Sequence, residues 1–123
     1  MPFVEYAVQV TTTGSAGSAT GNTTSPTING LVHSVSVDYH ASTPGTTTVD
    51  LDEVGGMGRK LLDLAGANTD ITYYPRLLAQ GGTGANLTGI YDRQAIAGRP
   101  IKVTVAASDA LTNAVVVYIV VEE

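Results

Sequence analysis

The side chains with the most chemical potential fall at a spacing that works against it. Ser36, Asp38 and His40 recur at every second position and could supply a nucleophile, an acid and a base. On a strand, alternate side chains stand parallel and do not aim at one atom, so the pattern reads as the wet face of a strand. If the strand carrying Asp50 and Asp52 pairs beside it, Asp38, His40, Asp50 and Asp52 form an oxygen-rich patch that a hard cation such as Ca²⁺ could use. No EF-hand spacing or His pair accompanies them, and solvated carboxylates are the expected state. Gly55-Gly56-Met57-Gly58-Arg59-Lys60 has the glycines of a phosphate loop without its spacing, and Leu61 stands where a Ser or Thr is needed. His33 shares a period-2 face with Val35 and Val37 and reads as a partly buried, hydrogen-bonded histidine. The expectation is therefore no catalytic set, no cofactor and no metal: a protein that is not an enzyme.

The densest local group is Tyr73-Tyr74-Pro75-Arg76. Adjacent strand residues face opposite sides, so one tyrosine can enter the core while the other lies outside with Arg76. Exposed Tyr and Arg together are characteristic anchors of protein interfaces, and a flat Tyr could equally stack on a sugar. A second surface comes from the last apolar run, Ala114–Val121. Val115, Val117, Ile119 and Val121 share one face, and Val116, Tyr118 and Val120 share the other. A strand that is apolar on both faces is expected to be covered on both. One cover is the domain's core; the second is another layer or another subunit. The candidate interface is thus Tyr73, Tyr74, Arg76, Val116, Tyr118 and Val120.

These residues need strands to hold them, and the rest of the chain supplies the pattern. Phe3–Thr12 alternates, with Val4, Tyr6, Val8 and Val10 on one face. From Gly30 the odd positions Leu31, His33, Val35, Val37 and Tyr39 form a core face, and Ser42-Thr43-Pro44-Gly45 is a turn. Thr47–Val54 alternates Val49 and Leu51, with Glu53 on their side, against Asp50 and Asp52. Arg59–Ala65 fits a short strand, with one helical turn as the alternative. Thr69–Gln80 is a strand that Pro75 places at an edge or a bulge. Ala85–Asp92, Gln94–Ala97 and Ile101–Ala106 complete the set. Thr11–Asn29 is rich in Thr, Ser and Gly and reads as a loop, or as an arm that orders on a neighbour. Together these predict one domain over residues 1–123 with about eight strands: all-β, an antiparallel β-sandwich, jelly-roll-like.

Composition narrows the function classes. Six basic against eleven acidic residues give a net charge of −5, which argues against a nucleic-acid or anionic-membrane surface. Only 14% of residues are charged, against about 25% in ordinary soluble domains, so part of the surface is expected to be hidden by partners. With no Cys, neither disulfides nor thiolate metal sites are available. No run reaches the ~18 apolar residues of a membrane span, and MPFVEYAVQV lacks the basic and apolar regions of a signal peptide.

The run NTDITYYPR from Asn68, a Gly-rich link, Tyr91 and AIAGRPIKVTVAASDALTNAVVVYIVVEE together resemble a recurrent type of small tailed-phage protein. GLVHSVSVDY and TTTVDLDEV upstream fit the same pattern, so the resemblance covers residues 28–123. It implies a virion structural protein, a decoration or cement protein on the capsid surface, made in the host cytoplasm. The implied partners are further copies of itself, a trimer being favoured, and the major capsid protein. The alternative is a carbohydrate-binding module of a tail or fibre, with Tyr73, Tyr74 or Tyr91 as stacking platforms.

Overall fold

A computed structural model describes residues 2–123. It contains eleven antiparallel strands and, among those residues, no helix. They are β1 (Phe3–Val10), β2 (Ala19–Thr24), β3 (Ile28–Tyr39), β4 (Thr48–Glu53), β5 (Lys60–Leu64), β6 (Ile71–Tyr73), β7 (Leu77–Gln80), β8 (Asn86–Asp92), β9 (Ala95–Arg99), β10 (Ile101–Ser108) and β11 (Val115–Glu122).

Eight of them nest. β4 pairs with β5, β3 with β6, β2 with β10, and β1 with β11. The chain is thus a long ribbon folded back at the β4–β5 turn. Curling that ribbon brings β11 against β3 and β10 against β4. The result is a front sheet ordered β1-β11-β3-β6 and a back sheet ordered β2-β10-β4-β5. This is jelly-roll connectivity, as the strand pattern predicts. The count exceeds the expected eight because the β6–β10 connection carries three more strands. β9 pairs with the start of β3, and β7 and β8 form a separate hairpin.

The core explains the β-branched composition. Val35, Val37, Val117 and Ile119 from the front sheet meet Val49, Leu51, Val103 and Val105 from the back, all at 1% exposure or less. Branched side chains are stiff at χ1 and lose little freedom when packed on a pleated surface.

Three expectations are corrected. The stretch 11–29 is not a free loop or arm, because Ala19–Thr24 is β2, paired along β10. Its inward row is Ala19, Gly21 and Thr23, too small to show a hydrophobic alternation. Bonds to the β10–β11 link hold the preceding turn: Thr12 N–H donates to Leu111 O at 3.0 Å, and Gly17 N–H donates to Asp109 Oδ1 at 2.9 Å. The odd-numbered face of β3 breaks at a bulge, where Ser34 opposes Val120 but Val32 opposes Val121. His33 is the extra residue, so Val32 rather than Leu31 or His33 enters the core. At the start of the same strand Gly30 is required: its φ is 135°, and a Cβ there would sit 2.6 Å from Glu122 O. Finally, the expected strand Thr69–Gln80 is two strands. Pro75 has no N–H to offer a ladder, and the chain leaves the front sheet there.

Tyr39 gives a stability prediction. Its Oη is buried with no hydrogen-bond partner among the described residues, and desolvation pushes the phenol from 10.0 up to about 12. An unsatisfied buried hydroxyl costs roughly 1 kcal/mol or more. Tyr39→Phe is expected to raise thermal stability by about that amount. The unfolded phenol ionises at 10.0 while the folded one holds its proton to about 12, so wild-type stability should fall across that interval. The variant should lack that loss; melting curves from pH 7 to 12 check both parts.

Candidate functional site

The register of the front sheet defines its outer face strand by strand. On β11 the buried row Val115, Val117, Ile119, Val121 alternates with Val116, Tyr118 and Val120, which are only half-buried. Val116 lies between Gln9 and Asp38, Tyr118 between Ala7 and Ser36, and Val120 between Glu5 and Ser34. The apolar stripe therefore runs down the middle of the sheet with small and polar residues on its flanks. The sequence expectation of a full second cover is not met within one chain.

The bulge enlarges this stripe at one end. By displacing His33 it creates an aromatic row. Phe3 meets His33 edge-on at a centroid distance of 5.2 Å, and His33 meets Tyr74 edge-on at 5.8 Å. Phe3 is 57% and Tyr74 59% exposed. Edge-to-face contacts hold the rings in place while leaving their outer faces bare. Tyr73, the other half of the pair, packs against the core, as adjacent strand residues must divide. Arg76 is anchored beside the row, donating from Nη1 to His33 O at 3.1 Å and to Pro75 O at 2.7 Å. Of the six candidate residues, five are accessible in whole or part along the outer face and its end; Tyr73 is turned inward.

Sequence reasoning missed Phe3, whose contribution depends on a bulge thirty residues away. It also missed the β7–β8 hairpin. Leu77, Leu78, Leu87, Ile90 and Tyr91 are all exposed on it, Tyr91 at 63%. An open cleft of about 610 Å³ runs along the hairpin, lined by Leu77, Leu78, Gln80, Asn86 and Tyr91 and, at the root, by Arg76, Asp92 and Arg93.

The residues with catalytic or metal potential are dispersed. Ser36 Oγ shares a 2.8 Å hydrogen bond with Thr72 Oγ1, and His40 Nδ1 accepts from Ser42 N–H. Asp38 projects from the front sheet, whereas Asp50 and Asp52 project from the back sheet on the opposite outer face. The sandwich separates them, so they cannot share one cation. Among the described residues no group of three or more His, Cys, Asp or Glu could hold a metal. The Gly55–Gly58 turn joins β4 to β5, and the Arg99 guanidinium lies on it; a Cβ on Gly56 would sit 2.7 Å from Arg99 Cζ. Arg59 Nε donates to the buried Glu53 Oε1 at 2.8 Å, with Arg99 Nε 3.9 Å from Oε2. These groups lock the end of the sandwich and leave no bare anion cradle there.

On the back sheet's outer face Asp50 opposes Asp63, and Lys60 reaches Asp52 at 3.1 Å and Asp50 at 3.7 Å. Desolvation first, then a hydrogen bond with Asp63, raises the Asp50 carboxyl above its ordinary 3.8; Lys60 opposes this. The folded state therefore binds this proton more tightly than the unfolded chain, and stability falls as pH rises through the raised value. Asp50→Asn is expected to be more stable than wild type at pH 7, with the advantage disappearing as pH is lowered toward 3.8. Urea titrations at the two pH values measure it.

In comparisons with known proteins the chain matches no family model, no curated protein and no solved structure.

Proposed function

We propose that this protein is a non-enzymatic structural protein that works by assembling, and that its place is the capsid surface of a tailed phage, as a decoration or cement protein. The observation that carries the assembly reading is the outer face of the front sheet. Val116, Tyr118 and Val120 in mid-sheet, with Phe3 and Tyr74 at its end, form an apolar surface with polar flanks. Contiguous apolar patches rimmed by polar residues mark sites of protein association. The NTDITYYPR resemblance over residues 28–123 supports the virion setting, and jelly rolls are a common capsid architecture; fold alone does not carry function. The expected partners are further copies of the chain, in a trimer, and the major capsid protein. The mechanism is mechanical: apolar burial at about 25 cal/mol per Å² is modest per contact and large when repeated over a shell. The test is reconstitution. Purified protein added to phage heads lacking it should bind to a fixed copy number and raise the temperature at which they rupture. Heads that take up none, or gain nothing from it, overturn the decoration reading.

Carbohydrate binding is the second reading, favoured by the cleft, where exposed Tyr91 stands among Asn86, Asp92 and Arg93. A flat ring beside amide and charged groups suits a sugar. Tyr73 is turned inward, which leaves the exposed Tyr91 and Tyr74 as the available platforms, and only Tyr91 lines the cleft. Silence across a glycan array removes this reading.

A further inference from the structure

The β7–β8 hairpin is the part of the fold that one chain does not explain. It pairs only with itself, and every residue of β8 is exposed. Isolated two-stranded hairpins are marginal in water. This one is also apolar on both sides: pairing places Leu78 with Tyr91 on one face, and alternation places Leu77 and Ile90 on the other. Its five apolar side chains, exposed on both faces, are more than the singly scattered apolar residues of an ordinary surface.

Charge points to what covers it. Arg76, at the hairpin root, and Lys102 are the two basic side chains with no carboxylate within 4.0 Å among the described residues; Arg59, Lys60, Arg93 and Arg99 each have one. Conversely, Glu5 and Asp38 flank the front-sheet stripe with no cation within 4.0 Å among the described residues. The hairpin on the face pairs apolar with apolar and brings Arg76, which shares the root with Asp92, to a face whose margin holds Glu5 and Asp38.

We propose that the β7–β8 hairpin is an intersubunit arm that docks on the outer face of the front sheet of a second copy of this chain. This rests on the assembly reading and specifies its contact. Arm and face are different surfaces, so the contact is heterologous and the assembly propagates head to tail until it closes.

The experiment uses three chains: wild type, an arm variant (Leu78→Asp with Ile90→Asp) and a face variant (Tyr118→Asp). Their masses are measured by light scattering alone and as a mixture of the two variants, with circular dichroism verifying the fold. A chain with Leu77–Asp92 replaced by a Gly-Ser turn serves as arm variant if the double substitution misfolds. Wild type is expected to be oligomeric and each variant monomeric. The mixture is expected to give a 1:1 heterodimer of twice the monomer mass, because one intact arm meets one intact face. An arm variant that keeps the wild-type mass, or a mixture that stays monomeric, overturns the arm while leaving the assembly reading intact. A monomeric wild type instead removes the assembly reading itself.

Discussion

Tyr118→Asp is expected to disperse the proposed oligomer without unfolding the subunit. Tyr118 is half-buried on the outer side of β11, between Ala7 and Ser36, so a carboxylate there meets water in the isolated chain. In the proposed assembly the same carboxylate would be desolvated against the apolar side chains of a neighbour. Truncation at a well-packed interface centre costs roughly 2 kcal/mol or more, and an unpaired buried charge adds to this. On the about 1.4 kcal/mol-per-decade scale that is at least a 30-fold weakening of each contact. Sedimentation velocity should show the monomer across micromolar concentrations, with far-ultraviolet circular dichroism unchanged. A variant that keeps the wild-type sedimentation coefficient would remove the stripe from the interface.

One residue further along, the outcome should invert. Ile119 lies on the inner side of β11, is 0% exposed, and stands between Tyr6 and Val35. Ile119→Ala leaves a cavity between two sheets whose ladders restrain collapse. The expected cost is about 2–5 kcal/mol, a large share of the roughly 5–15 kcal/mol by which a domain is stable. The midpoint of urea unfolding should fall accordingly, with its slope unchanged. Loss of assembly in this variant should track loss of fold. The pair of substitutions thus separates the two faces of one strand, and a stability change at Tyr118 as large as that at Ile119 would show the outer face to be core.

Both faces of β11 were legible in the sequence because period-2 alternation reports directly on the sheet's two sides. The same alternation sets Val49 and Leu51 on one face of their strand, and both are in the core. The signal failed where alternation was absent or interrupted. Ala19, Gly21 and Thr23 point inward from β2 but are too small to be seen as a hydrophobic row. The bulge at His33 shifts the face of β3 by one residue, and no local signal in GLVHSVSVDY marks it. That shift built the aromatic row, joining Phe3, His33 and Tyr74 from three distant parts of the chain. The hairpin escaped for a different reason. Its apolar residues resembled those of a buried strand, and periodicity carries no information on whether a strand pairs with the body or projects from it. For the site, the YYPR block divided its two tyrosines as adjacent strand residues must. The Asp–His cation patch, weighed against solvated carboxylates, does not form, because sheet membership, not strand spacing, decides which carboxylates meet.

In the proposed assembly the outer face of the front sheet is covered by another copy of the chain. Light scattering of the purified wild-type chain at high micromolar concentration tests it most directly. A discrete oligomer is expected, three times the monomer mass on the proposed trimer; a strict monomer over that range removes the assembly.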